Sequence, residues 1–263
     1  MIRVEYTEEI RRAAGAGEVV PMVLDLSSLR STRRFAEEVR ASVPALDALI
    51  LNAGIMAPEF GLCEDGLELQ MATNHMSHCL LTKELLSLVE AAAAARGPAT
   101  ITVVTIAAHF NSYPEGLRLD LASLKDPSIY NRMDAYVQSK LANVLFAQEL
   151  ATRLESSNVL VNAIHPGMVT TNLSHSLLPW VRTHIGDALV DFVKSKSELA
   201  GWHPADAALT QLYTAVSPNL KASRTTGKYF HPIARETKPD PHTFNATLQR
   251  GLCELSEAFL LAH

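Results

Sequence analysis

The chain has 263 residues, 48% of them apolar, which is enough for one large α/β domain with a buried sheet or for two small domains. Its formal charge of −5 argues against a nucleic-acid partner, because phosphate-binding surfaces carry clustered Lys and Arg, and it favours a small-molecule partner. The sequence contains no run of about 18 apolar residues, the length that a membrane-spanning helix needs. The three cysteines lack metal-ligand spacing, and the N-terminus has no signal-peptide core, so we expect a cytoplasmic protein.

Predicted strands and helices alternate along the chain. Short apolar, β-branched segments predict buried strands at Val19–Leu24, Leu46–Leu51, Ile101–Ile106 and Val159–Ile164, with a weaker fifth at Lys228–His231. Helical spacing of apolar residues predicts helices over Ser27–Ala41, Gly66–Ala95, Tyr136–Leu154 and Ala205–Val216. This order predicts βαβ units and a parallel sheet, and the lack of linkers and repeats favours one domain over residues 1–263.

Local signals mark two helix starts and one irregular segment. Ser27 or Ser28 can cap the first predicted helix, and Pro204 suits the first turn of the last one. The segment Thr170–Trp202 follows the carboxyl end of a strand, where open α/β sheets bind ligands. We expect either a substrate-covering loop with short helices or a surface excursion there.

The sequence Tyr136-Val-Gln-Ser-Lys140 places a phenol and an ammonium four residues apart, on one face of a helix. A neighbouring cation favours tyrosinate, so we expect the pKa of Tyr136 to fall from about 10 toward the range useful in acid/base catalysis. Taken alone, the same spacing also fits an exposed, solvated pair.

Four motifs in series resemble the short-chain dehydrogenases/reductases, and most closely their retinol-dehydrogenase and WW-domain-oxidoreductase branch. They are Asn52-Ala53-Gly54 after a strand, Asn74-His75 in the next helix, Tyr136-x-x-x-Lys140-Leu-Ala-Asn143, and Pro166-Gly167-Met-Val169-Thr-Thr171. The resemblance extends from about Glu8 to the region of Phe230. It implies a Rossmann-like, doubly wound α/β fold with NAD or NADP as cofactor, and it leaves a homo-oligomer open.

The resemblance also implies a role for each matching residue. Tyr136 would exchange a proton with an alcohol or carbonyl oxygen. Lys140 would lower the pKa of Tyr136 and hold the nicotinamide ribose, and Asn74 would position a water molecule in the proton relay. The implied cofactor contacts are Asp25, Leu26, Asn52, Ala53, Gly54, Tyr136, Lys140, Pro166, Gly167, Val169 and Thr171. Each has a plainer explanation: Asn52-Ala53-Gly54 as a turn after a strand, Asn74 as a polar residue on a helix surface, and Pro166-Gly167 as a strand terminator. We interpret His75 and His78 as structural, because no third metal ligand accompanies them.

The chain departs from the family at the position of the catalytic serine. Relatives in this branch carry Ser-Ser where this chain has Thr105-Ile106, and the second serine hydrogen-bonds the reacting oxygen. Ile106 cannot donate a hydrogen bond, and losing such a donor commonly costs roughly 10²–10³ in rate. Thr105 could replace it only through a bulge or a one-residue slip, because adjacent strand residues face opposite sides.

The family's opening β-α-β unit, with its Gly-x-x-x-Gly-x-Gly turn, is also missing. Gly15 and Gly17 follow a helical stretch and precede a strand, which is the reverse of the required order. We therefore expect weak NAD(P) binding. We also expect Val19–Leu24 either to pair directly with Leu46–Leu51 or to remain loosely attached, because its neighbouring strands are absent.

Three hypotheses follow from the sequence. The first is a shortened NAD(P)-dependent oxidoreductase acting on a lipophilic, retinoid- or steroid-like alcohol or carbonyl. The second is a non-catalytic relative that serves as a binding module, which Ile106 and the missing glycine turn favour. The third is a truncated gene product. A glycine-rich turn encoded in frame upstream of Met1 would favour the enzyme.

Overall fold

The computed structural model of the protein describes residues 10–15, 17–107, 109, 113–167, 169 and 202–263. The predicted loop at Thr170–Trp202 therefore lies outside the described residues, apart from Trp202. Five strands form one sheet in the order β1-β2-β3-β4-β5. The strands are β1 (Ala48–Leu51), β2 (Ala99–Val104), β3 (Val159–Ile164), β4 (Tyr229–His231) and β5 (Arg235–Thr237). The first four are parallel and β5 is antiparallel to β4.

Helices cover both faces of this sheet. They are α1 (Leu29–Ser42), α2 (Leu69–Met71), a π-helical turn (Ala72–Met76), α3 (Ser77–Arg96), α4 (Arg132–Arg153), α5 (Pro204–Val216), α6 (Pro218–Ala222) and α7 (Ala246–Ala262). Short 3₁₀ turns lie at Ser123–Lys125, Pro127–Ile129 and Pro241–Phe244. Helices on both faces of a mainly parallel sheet make a doubly wound α/β fold, as predicted.

The two faces of the sheet have different cores. On one face, the apolar side chains of α3 and α4 pack against alternate residues of β2 and β3, such as Val103 and Val161. On the other face, polar contacts attach α5 to β2: Thr100 Oγ1 donates to Ala215 O at 2.7 Å, and Thr102 and Thr214 hydroxyls lie 3.0 Å apart. Both faces of the sheet are thus covered by helices, as is usual for parallel sheets.

Most predicted elements are confirmed with small changes at their ends. The strand Val159–Ile164 has the predicted bounds, and Ser28 caps α1 by accepting a hydrogen bond from Ser31 N. Pro204 occupies the first turn of α5, as expected. The predicted strand Ile101–Ile106 begins and ends two residues earlier. The hairpin that β5 forms with β4 was not predicted.

The strand predicted at Val19–Leu24 is wrong. This segment has no regular structure and belongs to no sheet, and Val20 and Val23 are 63% and 76% exposed. Among the described residues β1 has a strand on one side only, so Val19–Leu24 has not moved in to pair with it. An apolar, β-branched segment forms a strand only where a neighbour can receive its backbone hydrogen bonds.

In the part of the chain that the structure describes, no helix is both long and apolar enough to cross a membrane.

Candidate active site

The start of α4 brings the predicted Tyr136–Lys140 pair into the protein interior. Asn131 caps this helix, accepting hydrogen bonds from Met133 N at 2.9 Å and Asp134 N at 3.2 Å. Tyr136 and Lys140 follow one turn apart and are only 2% and 4% exposed. The Lys140 ammonium lies 5.9 Å from the centre of the Tyr136 ring and donates to Val104 O at 3.4 Å. The pair is therefore buried, not a solvated surface pair.

Burial determines the protonation of both groups. It raises the pKa of Tyr136 well above its ordinary value of about 10, because the tyrosinate loses its hydration. It also lowers the pKa of Lys140 to about 8. The expectation of a lowered Tyr136 pKa is thus wrong for this structure, because burial and the loss of hydration raise it.

Asn74 joins the pair to the loop after β1. Its side-chain oxygen accepts from Ile55 N at 2.8 Å, and its amide nitrogen donates to Ile55 O at 3.0 Å and Ser139 Oγ at 2.9 Å. Ser139 in turn donates to Tyr136 O at 2.7 Å. Both N–H groups of the Asn74 amide are therefore engaged, and its proposed role in a water relay stays a prediction.

Gly54 completes this junction. A Cβ atom at Gly54 would lie 2.8 Å from Asn74 Oδ1 and 3.2 Å from Lys140 Nζ, so only glycine allows this close approach. The preceding Asn52 and Ala53 are exposed, and Asn52 Oδ1 accepts from Gln211 Nε2 of α5 at 2.8 Å. The structure thus brings Gly54, Asn74, Tyr136 and Lys140 together, with Asn52 and Ala53 at the rim.

The second predicted cofactor loop follows β3. Gly167 has a φ of +92°, and a Cβ atom there would lie 2.5 Å from Trp202 Cδ1 and 3.1 Å from Pro232 Cγ. Val169 pairs with Trp202 in a single parallel β-bridge, so the indole lies directly against this loop. Pro166 is half-buried beside Gly167. Thr171, the last predicted contact, lies outside the described residues.

The two predicted adenine-side residues contact their own neighbours. Asp25 accepts hydrogen bonds from the backbone and hydroxyl of Ser27, at 2.9 and 2.6 Å, and these lower the pKa of its carboxyl group. Leu26 is buried. Its carbonyl oxygen accepts a hydrogen bond at 2.6 Å from the hydroxyl group of Ser77, the residue that directly follows the π-helical turn. Asp25 is exposed, which leaves it accessible to a ligand.

The strand end at Thr105-Ile106 agrees with the predicted loss of the serine donor. Thr105 N donates to Ile164 O at 2.8 Å, which continues the register of β2 and β3 without a slip. The Thr105 hydroxyl donates to Lys140 O at 2.8 Å. Its proton is therefore used within the fold, and Ile106 is half-buried with an apolar side chain. Neither residue supplies the missing donor.

One group of polar residues behind the site was not predicted as such. His75, which sequence reasoning treated as structural, contacts Asn143 on α4 and Ser256 on α7. All three side chains are buried. The Asn74-His75 pair and Asn143 were visible as motif residues, whereas Ser256 lies beyond every motif and gave no signal in the sequence.

Known proteins resemble this chain over most of its length. The sequence matches the family model "short chain dehydrogenase" over residues 3–117 and 98–182. It is 36% identical to retinol dehydrogenase 14 of Homo sapiens, over 97% of this chain and 74% of that protein. It is also 37% identical to the short-chain dehydrogenase TIC 32 B, chloroplastic, of Brassica napus, over 89% and 69%.

Solved structures share the fold. A crystal structure of an uncharacterized protein from Mycobacterium Paratuberculosis is 29% identical with a TM-score of 0.66, covering 97% of this chain and 81% of that one. The RhlG/NADP active-site complex from Pseudomonas aeruginosa is 21% identical with a TM-score of 0.59, covering 86% and 80%. The family match, the identity to retinol dehydrogenases and the buried Tyr136–Lys140 pair agree. The chain therefore belongs to the short-chain dehydrogenase family, in its retinol dehydrogenase branch, and is by family an NAD(P)-dependent oxidoreductase.

Proposed function

We propose that the chain interconverts an alcohol and a carbonyl on a lipophilic, retinoid- or steroid-like small molecule. The observation that carries the proposal is the buried junction at which Tyr136, Lys140, Asn74 and Gly54 meet. The retinol dehydrogenases among its relatives support the substrate class. A buried phenol next to a buried ammonium suits proton exchange with a substrate oxygen that has left water.

The protonation states favour carbonyl reduction. Because the pKa of Tyr136 is raised, its hydroxyl keeps its proton at neutral pH, which is the form that donates to a carbonyl oxygen as it gains negative charge. Lys140, with a pKa of about 8, is mostly an ammonium at that pH and stabilises the tyrosinate left behind. Alcohol oxidation needs the tyrosinate beforehand and is expected only at higher pH.

The residues present fit one half of a nicotinamide cofactor. Among the described residues, one of the three N–H groups of Lys140 donates to Val104 O, and we propose that the other two serve ribose hydroxyls beside the narrow space over Gly54. When bound, the cofactor supplies or accepts the hydride. The described residues provide no glycine-rich turn at a helix N-terminus to hold the pyrophosphate. We therefore propose that the 263-residue chain binds NAD or NADP weakly.

A non-catalytic binding module is the second candidate, and Ile106 is the observation that favours it. With Thr105 bonded to Lys140 O and Ile106 apolar, neither of these two side chains can polarise a substrate oxygen. Such a protein would keep the lipophilic ligand and lose turnover.

Product analysis separates the two candidates. The purified chain is incubated with a retinoid aldehyde and millimolar NADH or NADPH, with a short polar aldehyde as the control substrate. The proposal expects the retinoid alcohol to form faster than the polar alcohol. Retinoid binding without alcohol formation at any cofactor concentration would identify the binding module.

A further inference from the structure

A buried polar network connects the C-terminal helix α7 to the π-helical turn that holds Asn74. His75 Nδ1 lies 3.2 Å from Asn143 Oδ1, and His75 Nε2 lies 3.2 Å from Ser256 Oγ. His75 and Asn143 are 1% and 0% exposed, and Ser256 is 6% exposed. Three elements that are distant in sequence thus meet through one imidazole ring.

The neighbours of the ring determine its protonation. Asn143 directs its amide nitrogen to Val104 O at 3.5 Å, so its oxygen faces His75 and must accept from Nδ1–H. Burial lowers the pKa of His75 to about 4, so the ring is neutral and Nε2 is an acceptor. Two groups can then donate to Nε2, the Ser256 hydroxyl at 3.2 Å and the weaker Cys79 thiol at 3.5 Å, and Ser256 shares its single proton with Leu252 O, 2.8 Å away.

The network ends at the same carbonyl that holds Lys140. Val104 O receives the Lys140 ammonium at 3.4 Å as well as the Asn143 amide. On its other side, His75 directly follows Asn74, whose amide fixes Ile55 and Ser139. Movement of the His75 ring would therefore disturb two residues of the candidate site, one through the chain and one through Asn143.

We propose that His75 is a positioning residue, which together with Ser256 of α7 fixes Asn74 and Lys140 for proton transfer. The inference rests on the proposed function, because it assigns α7 a part in the same reaction. Single π-helical turns within α-helices are rare and are frequent at functional sites. Here the outward bonds of Asn74 and His75 hold that turn in place, whereas an apolar residue at position 75 would leave Asn143 Oδ1 without its donor.

The test measures Lys140 directly, by NMR titration of isotope-labelled lysine in the full chain, with Lys140→Arg used for assignment. Ser256→Ala removes the hydroxyl that contacts His75 Nε2, and His75→Gln is a second variant with a shorter polar side chain. Thr82→Val is the matched control, because Thr82 is a buried hydroxyl that donates to its own helix, to His78 O at 2.8 Å.

The proposal expects the Lys140 pKa to move from about 8 toward 10.5 in Ser256→Ala and His75→Gln, because the loosened turn admits water. Thr82→Val should leave the Lys140 pKa unchanged, and so should Ser256→Thr, which keeps the hydroxyl group. Where turnover is present, kcat should fall with little change in KM. An unchanged Lys140 pKa in both network variants, or an equal shift in Thr82→Val, would overturn the proposal. The titration needs no turnover, so its result is independent of whether the chain is an active enzyme.

Discussion

At the scale of single residues, the candidate site combines a buried acid with a missing hydrogen-bond donor. Tyr136 and Lys140 were found from their spacing and context, and the structure buries both. The direction of the Tyr136 pKa could not be predicted, because the sequence does not show how deeply a helix start is buried. The loss of the donor at Ile106 was visible in the sequence, and the Thr105–Lys140 hydrogen bond explains why Thr105 does not replace it.

Restoring the donor should raise activity. Ile106→Ser introduces a hydroxyl at the position where the family resemblance implies a serine, and we expect kcat for carbonyl reduction to rise by roughly 10²-fold. Ile106→Ala is the control, since it removes the same bulk without adding a donor. Steady-state kinetics of the two variants measure the effect. Equal rates in Ser and Ala variants would mean that position 106 does not face the reacting oxygen.

Gly54 provides a second test of the junction. In Gly54→Ala the new methyl group would lie 2.8 Å from Asn74 Oδ1, so Asn74 or Lys140 must move. We expect unfolding free energy to fall by about 1–3 kcal/mol, with loss of turnover. Gly61→Ala is the matched control, because nothing lies within 4 Å of its added Cβ. Denaturant unfolding compares them, and equal stability of the two variants would contradict the described packing.

At the scale of elements, the sequence predicted those helices and strands that local residue patterns determine. The apolar periodicity of α4 and the continuous apolar character of β3 were sufficient, because both elements lie in the core between two neighbours. Val19–Leu24 is similarly apolar but contains Pro21, which has no N–H to donate, and it is not a strand, since strand formation also depends on a partner that sequence pattern alone does not reveal. The position of α7 behind the site was equally hidden, because it depends on contacts between distant segments.

Buried histidines on these elements predict acid sensitivity. Burial lowers the pKa of His75 to about 4, His78 to about 3 and His165 to about 4, whereas unfolded histidine titrates near 6.5. Below pH 6.5 the unfolded chain therefore binds more protons, and stability falls as pH drops from 6.5 toward 4. His75 alone accounts for roughly 3 kcal/mol at pH 4.

Urea unfolding between pH 7.5 and about 4.5 measures this slope. His78→Leu removes one buried titrating group and should make the slope shallower. The account of buried, neutral histidines would be wrong if unfolding free energy were constant over that range.

At the scale of the whole molecule, the described residues include the groups that we propose to hold the nicotinamide half of a cofactor, but no glycine-rich turn at a helix N-terminus for its pyrophosphate. Titration of the purified chain with NADH and NADPH by calorimetry should give dissociation constants weaker than micromolar. The available side chains offer hydrogen bonds of about 0.5–1.5 kcal/mol each, whereas a micromolar site needs roughly −8 kcal/mol. Micromolar or tighter binding would show that another segment or a partner subunit holds the phosphates.

The catalytic role of Tyr136 is the central claim, and one substitution tests it most directly. Tyr136→Phe removes the proton that the substrate oxygen would receive and changes little else, while Tyr213→Phe makes the same chemical change on α5, at a ring that packs against Phe230. Retinoid aldehyde reduction is measured in wild type and both variants at the highest attainable NADPH concentration. The account predicts turnover in wild type and Tyr213→Phe and none above background in Tyr136→Phe, and equal turnover in all three proteins would contradict it.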